Sequence, residues 1–144
     1  MIRYVAILFL FLSGIGGYTI DKFGQDLCIN EYIAIGTITY FKELNGVSAN
    51  DPSMLGICGL LSIIFSIILI FIRNKYFYTI VSLVLLLAEL ILLNMMEIVS
   101  YKEIIYDSIT KCSNYSTLVW LLFQAMFLIF SGIYIFLKVN KKEV

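Results

Sequence analysis

The stretch 77–99, FYTIVSLVLLLAELILLNMMEIV, constrains this chain more than any other. It is apolar for long enough to cross a bilayer as a helix, yet it carries a carboxylate, Glu89, near its middle. On insertion scales an acidic residue at mid-membrane costs roughly 2.5–3.5 kcal/mol, so such a group faces a partner or a cavity rather than lipid. The rest of the chain is read around what Glu89 faces.

Three further apolar segments accompany it, at about 4–20, 55–72 and 117–137. With 61% hydrophobic residues, 14% charged residues and a mean hydropathy of +0.97, the chain has too little polar surface to coat a soluble domain of its size. The expectation is a single all-α integral membrane domain over residues 1–144. It is an antiparallel bundle of four transmembrane helices with two extracytoplasmic loops, 21–54 and 100–116. Within the first loop, 32–41 (YIAIGTITYF) is rich in β-branched and aromatic residues, the composition of one or two short strands or of a segment lying on the membrane. Asn45-Gly46 marks a turn, and Asp51-Pro52-Ser53 a helix start. Ile104, Ile105 and Ile109 form the apolar side of a short amphipathic turn in the second loop. Arg73-Asn74-Lys75-Tyr76 is short enough to force the second and third spans into a hairpin.

Basic residues orient the expected bundle. Arg3, Arg73, Lys75, Lys138, Lys141 and Lys142 gather at one end in very short segments. Lys22, Lys42, Lys102 and Lys111 are spread over the two longer loops, where acids match or outnumber them. The positive-inside rule then puts both termini in the cytoplasm of a multi-pass cell (inner) membrane protein. The first segment also has the parts of a signal peptide, with Arg3, an apolar run and Gly14-Ile15-Gly16 as a small-x-small site. Agreement between the even span count and the charge bias favours an uncleaved span.

Each expected span carries a hydrogen-bonding group close to its centre: Ser13, Ser62, Glu89 and Gln124. At a rise of about 1.5 Å per residue all four lie within roughly 5 Å of the midplane. Two roles follow. In one, a protonated Glu89 donates to Gln124 or a serine and fixes helix register. In the other, Glu89 holds a cation or proton, assisted by Gln124 and Ser62. Ser82 and Met96 share the Glu89 face, and Thr117, Gln124 and Ser131 recur every seven residues in the fourth span. Gly17 with Ser13, and Gly56, Gly59 and Ser66 with Ser62, form small-residue faces for close helix packing. Trp120 is placed as an interfacial anchor.

Of three cysteines, Cys28 and Cys112 fall in the two outer loops and are candidates for a disulfide bond, whereas Cys58 lies within the second span as a packing residue. Asn114-Tyr115-Ser116 matches the glycosylation sequon. The chain has no histidine, no Cys-x-x-Cys, no Gly-x-Ser-x-Gly and no phosphate loop, so no catalytic residues, metal ligands or cofactors are assigned. Zero net charge argues against a nucleic-acid partner. The expected partners are the lipid bilayer and another membrane protein or a second copy. The expected role is protein-protein interaction through helices or outer loops, as an accessory, assembly or immunity-type factor. The alternative is an oligomeric small channel or transporter with Glu89 as its cation or proton site. Four spans, a larger first outer loop and cysteines on the outer side resemble the claudin-type tetraspan layout. That family's tryptophan-bearing cysteine motif is missing, since Trp120, the single tryptophan, lies in the fourth span, so the resemblance implies layout alone.

Overall fold

The computed structural model describes residues 1–23, 27–31, 33–41, 51–95 and 100–140. The order of elements is α1 (Ile2–Phe23), β1 (Cys28–Asn30), β2 (Ile38–Tyr40), α2 (Asp51–Phe71), α3 (Lys75–Asn94), α4 (Tyr101–Thr110) and α5 (Tyr115–Asn140). Among the described residues, four helices are long and apolar enough to cross a membrane: Ile2–Ile20, Ser53–Phe71, Lys75–Asn94 and Tyr115–Leu137. Positions 96–99 of the expected third span, with Met96 and Glu97, lie outside the described residues, as does the Asn45-Gly46 turn.

The long helices run antiparallel to their neighbours. Residues 72–74 link α2 to α3, and Asn74 caps α3 by accepting the Tyr76 amide at 2.9 Å. α1 lies between α2 and α5 and packs most closely on both. Its small residues allow this. A Cβ on Gly14 would sit 2.6 Å from Ile63 Cγ1 and 2.8 Å from the Gly59 carbonyl oxygen. One on Gly16 would sit 2.8 Å from the Trp120 nitrogen, and one on Gly17 2.7 Å from Gly59 Cα. One face of α1 thus touches the α2 backbone at Gly59, and an adjacent face touches α5 at Trp120. Gly56 and Ser66 are buried on α2. On the other side of the helices, Ile64, Ile67, Leu83, Leu87, Leu121 and Ile129 remain exposed, a surface suited to lipid.

At the loop end a small cap covers the bundle. β1 and β2 pair antiparallel with Ile29 opposite Thr39, and α4 packs on β1 and on α5. The second strand falls within 32–41 as the composition suggests, and its partner lies upstream of that stretch. The amphipathic turn is a full helix, α4, with Ile104 and Ser108 buried beneath it. At the opposite end Arg3 closes α2. Its guanidinium donates to the Ile72 carbonyl at 2.7 Å and lies 3.5 Å from that of Ile70, a cation placed where a helix exposes its last carbonyls.

Two apolar clusters fill the interior. One, toward the cap, contains Ile20, Leu27, Ile29, Phe41, Leu55, Cys58, Leu93, Ile104 and Trp120. The other, toward the α2–α3 link, contains Ala6, Ile7, Leu10, Leu69, Tyr78, Leu85 and Phe127. Trp120 is therefore not an interfacial anchor. It is 4% exposed: Gly16 admits the Trp120 backbone, and the missing side chain of Gly17 leaves room for the indole Cδ1 against α1.

Gly59→Ala drives a methyl group into the α1 backbone at Tyr18 and Gly17. It is expected to lower stability by about 1–3 kcal/mol in thermal unfolding of the detergent-solubilised protein. Gly132→Ala on α5, where a Cβ meets nothing within 4 Å, is expected to be neutral or to stabilise by up to about 1 kcal/mol.

Candidate functional site: a buried polar layer

Between the two apolar clusters, every long helix contributes one polar side chain to a single connected layer. Ser62 Oγ on α2 donates to Glu89 Oε1 at 2.6 Å. Gln124 Nε2 on α5 donates to Glu89 Oε2 at 2.7 Å. Ser13 Oγ on α1 lies 2.8 Å from Gln124 Oε1 and 3.0 Å from the Trp120 carbonyl, so its single proton serves one acceptor at a time. Glu89 is 4% exposed, and both of its oxygens are occupied by neutral donors from the same chain.

The arrangement has a chemical logic. Gln124 must present its amide nitrogen to Glu89, which leaves its carbonyl oxygen for Ser13, so Glu89 fixes the amide orientation. The Ser62 hydroxyl both donates and accepts. A proton on Oε1 reverses that bond without moving a heavy atom, and the layer accommodates either form of the carboxyl group. Among the described residues no group of three or more His, Cys, Asp or Glu side chains could hold a metal ion.

Other stripe residues find partners nearby. Ser131, one heptad from Gln124, shares a 2.7 Å hydrogen bond with the Tyr78 hydroxyl, tying α5 to α3 nearer the link. Tyr78 also meets Tyr134 edge-on at 5.2 Å. Ser82 differs: it is buried on the Glu89 face of α3 with no hydrogen-bond partner for its hydroxyl among the described residues, whereas Asn94 bonds back to the Leu90 carbonyl of its own helix. Cys58 is buried, its thiol donating to the Glu89 carbonyl at 3.9 Å. Tyr78 went unread in the sequence because an aromatic residue near a span end looks like an interfacial anchor. Antiparallel helices place it level with Ser131, which was the available signal.

The cap is a second cluster. Cys28 on β1 and Cys112 after α4 lie at disulfide distance, with Cα atoms 6.4 Å apart across a sequence separation of 84. Asp107 Oδ2 accepts the Asn30 amide at 2.9 Å, and Ser108 Oγ accepts the Cys28 amide at 3.3 Å. Asn114 is buried, and its Oδ1 accepts from the Thr117 amide at 2.9 Å and the Thr117 hydroxyl at 3.0 Å. The sequon asparagine is a helix cap for α5 rather than an open acceptor. The cap holds the tip of the β1–β2 hairpin out of the core: Ile33 is 72% exposed and Ile35 is 93% exposed. The tip turns on two positive-φ residues, Glu31 at 58° and Gly36 at 78°.

No family model matches the chain, and no curated protein or solved structure matches it either.

Gln124→Leu strips a donor from Glu89 and an acceptor from Ser13, and is expected to cost about 1–3 kcal/mol in detergent unfolding. Glu89→Gln, whose amide can still bond both Ser62 and Gln124, is expected to cost less than about 1 kcal/mol. For the cap, thiol blocking followed by reduction is expected to shift gel mobility and expose two new alkylation sites at Cys28 and Cys112. Cys112→Ser is expected to remove that shift and lower stability by about 2–4 kcal/mol.

Proposed function

We propose that this chain is a small multi-pass membrane protein that works by binding another membrane protein through its outer cap. The observation that carries the reading is the hairpin tip. Ile33 and Ile35 stand exposed on a segment tied to α4 through the paired cysteines, Asp107 and Ser108. Exposed apolar side chains held on a braced loop suit a binding surface. Holding the loop in place beforehand lowers the entropy lost on association.

The buried layer supports the same choice over transport. Glu89 is held on both oxygens by Ser62 and Gln124, which suits a bundle whose register is locked. In this reading the cap is extracytoplasmic and both termini are cytoplasmic. The charge bias supports that orientation, because Arg3, Arg73 and Lys75 lie in short segments at the end away from the cap, and Lys138, Lys141 and Lys142 follow the fourth span in the sequence. The chain is not assigned an enzymatic activity.

The test is cross-linking and affinity capture of the tagged full chain from native membranes, run in parallel with an Ile33→Ser/Ile35→Ser variant and with Glu89→Gln. The expected result is a stoichiometric foreign membrane protein, captured by wild type and by Glu89→Gln and lost in the hairpin variant. Recovery of the chain cross-linked only to itself, together with proteoliposome cation flux abolished by Glu89→Gln, overturns the reading in favour of a channel or transporter.

A further inference from the structure

At the end away from the cap, α1 and α2 leave a groove of about 350 Å³ open on their outer face. Tyr4, Ile7, Leu8 and Phe11 of α1 form one wall, and Ser66, Ile67 and Ile70 of α2 form the other. Its one hydroxyl on the α2 side is already engaged, since Ser66 Oγ donates to the Ile63 carbonyl at 2.7 Å. The rest of the lining is aliphatic apart from the Phe11 ring and the Tyr4 phenol. From Phe11 to Tyr4 the groove runs for about 10 Å along the helix axis, at the usual rise per residue. A trough of that length and character accepts an alkyl chain.

Charge lies at one end of it only. Arg3 sits next to Tyr4 with its guanidinium 4.6 Å from the centre of that ring, and it reaches across to the Ile70 and Ile72 carbonyls. The groove and the cation therefore share Tyr4 and Ile70. Two carbonyl bonds do not use the five N–H donors of a guanidinium, and among the described residues Arg3 meets these carbonyls and a ring but no carboxylate. Arg73 follows Ile72 directly, and Lys75 begins α3 on the far side of the same short link. Arg3, Arg73 and Lys75 thus gather at this end, and Lys138, Lys141 and Lys142 follow the fourth span in the sequence.

We propose that this groove is a binding site for an anionic phospholipid. One acyl chain lies between α1 and α2 against Leu8, Phe11, Ile67 and Ile70. The phosphate meets the outward N–H groups of Arg3, with Arg73 adding charge beside it. An alkyl trough ending in a guanidinium matches both halves of such a lipid, whereas in a zwitterionic lipid the headgroup cation offsets the phosphate and is repelled by Arg3 and Arg73, so the net attraction is small. The same lipid would brace the α1–α2 pair at the end opposite the small-residue contact of Gly17 with Gly59. The site rests on the membrane reading of the chain but not on partner binding, and its loss would leave the hairpin proposal untouched.

The experiment is native mass spectrometry of the purified full chain in detergent, with added phosphatidylglycerol or phosphatidylcholine carrying the same acyl chains. Wild type is expected to retain phosphatidylglycerol several-fold in preference. Arg3→Gln keeps donors for the helix carbonyls but removes the charge. It is expected to reduce phosphatidylglycerol retention roughly fivefold, the ~1 kcal/mol that one basic residue contributes near an anionic surface, and to leave phosphatidylcholine unchanged. Ile67→Trp, which fills the trough, is expected to reduce both lipids. Should Ile67→Trp fail to fold, Leu8→Trp fills the opposite wall. Equal retention of the two lipids by wild type overturns the proposal. So does a preference that survives Arg3→Gln combined with Arg73→Gln, or one that is indifferent to filling the trough.

Discussion

The carboxyl group of Glu89 is the constraint on which the rest of the bundle depends. In a hydrocarbon setting lipid offers such a group no hydrogen bond, so it must be met from within the protein. Ser62, Gln124 and, through Gln124, Ser13 meet it, and one side chain from each long helix is thereby fixed at one level. The apolar interior divides at that level. Leu10, Leu69, Leu85 and Phe127 lie on one side of the layer, and Ile20, Leu55, Leu93 and Trp120 on the other. Apolar packing is tolerant of sliding, because one leucine row resembles the next. A hydrogen-bonded layer is not, since a one-turn shift of α2, α3 or α5 removes a donor from the carboxyl group, and one of α1 removes the Ser13 bond to Gln124.

Close packing and polar linkage divide the work among the helices. α1 is held to α2 and α5 by approach of backbones over Gly14, Gly16, Gly17 and Gly59. α3 meets α5 through side chains: Glu89 to Gln124, Tyr78 to Ser131, and Tyr78 against Tyr134. Glycine contacts give dispersion over a large area without direction, whereas the side-chain bridges give direction at a few points. The helix with the glycines is thus the hub of contact, and the helix with the carboxylate carries the register. In the cap, the hairpin and α4 are too small to form a core of their own. They share the bundle's upper cluster through Leu27, Ile29, Phe41 and Ile104, and are tied together by Asp107, Ser108 and the cysteine pair.

Much of this was legible before any fold was known, for identifiable reasons. A helix long enough to cross hydrocarbon needs an uninterrupted apolar run, which leaves an unmistakable trace in residues 55–72 or 77–99. The level of Ser13, Ser62, Glu89 and Gln124 follows from counting along each span, since helical rise is nearly constant. Hairpin register was less accessible. The β-branched run at 32–41 holds one strand, but the other, Cys28–Asn30, is too short to show periodicity and exists because Asp107 and Ser108 receive its amides. Trp120 was misplaced for a related reason. Composition makes a tryptophan near a span end an interface residue, and only the glycines of a different helix give it a buried seat.

The long apolar helices, the short link between the second and third, and a carboxylate that had to be met inside the protein are all legible in the residues alone. Those are properties of a single segment, set by local hydrophobicity, length and the cost of a charge in hydrocarbon. The tertiary structure alone decided which donors meet Glu89, which helices touch at glycine, and where Arg3 and Ile67 come to share a groove. Each of these depends on how helices rotate about their axes when they pack. That rotation is fixed jointly by all the facing side chains, and no one segment records it.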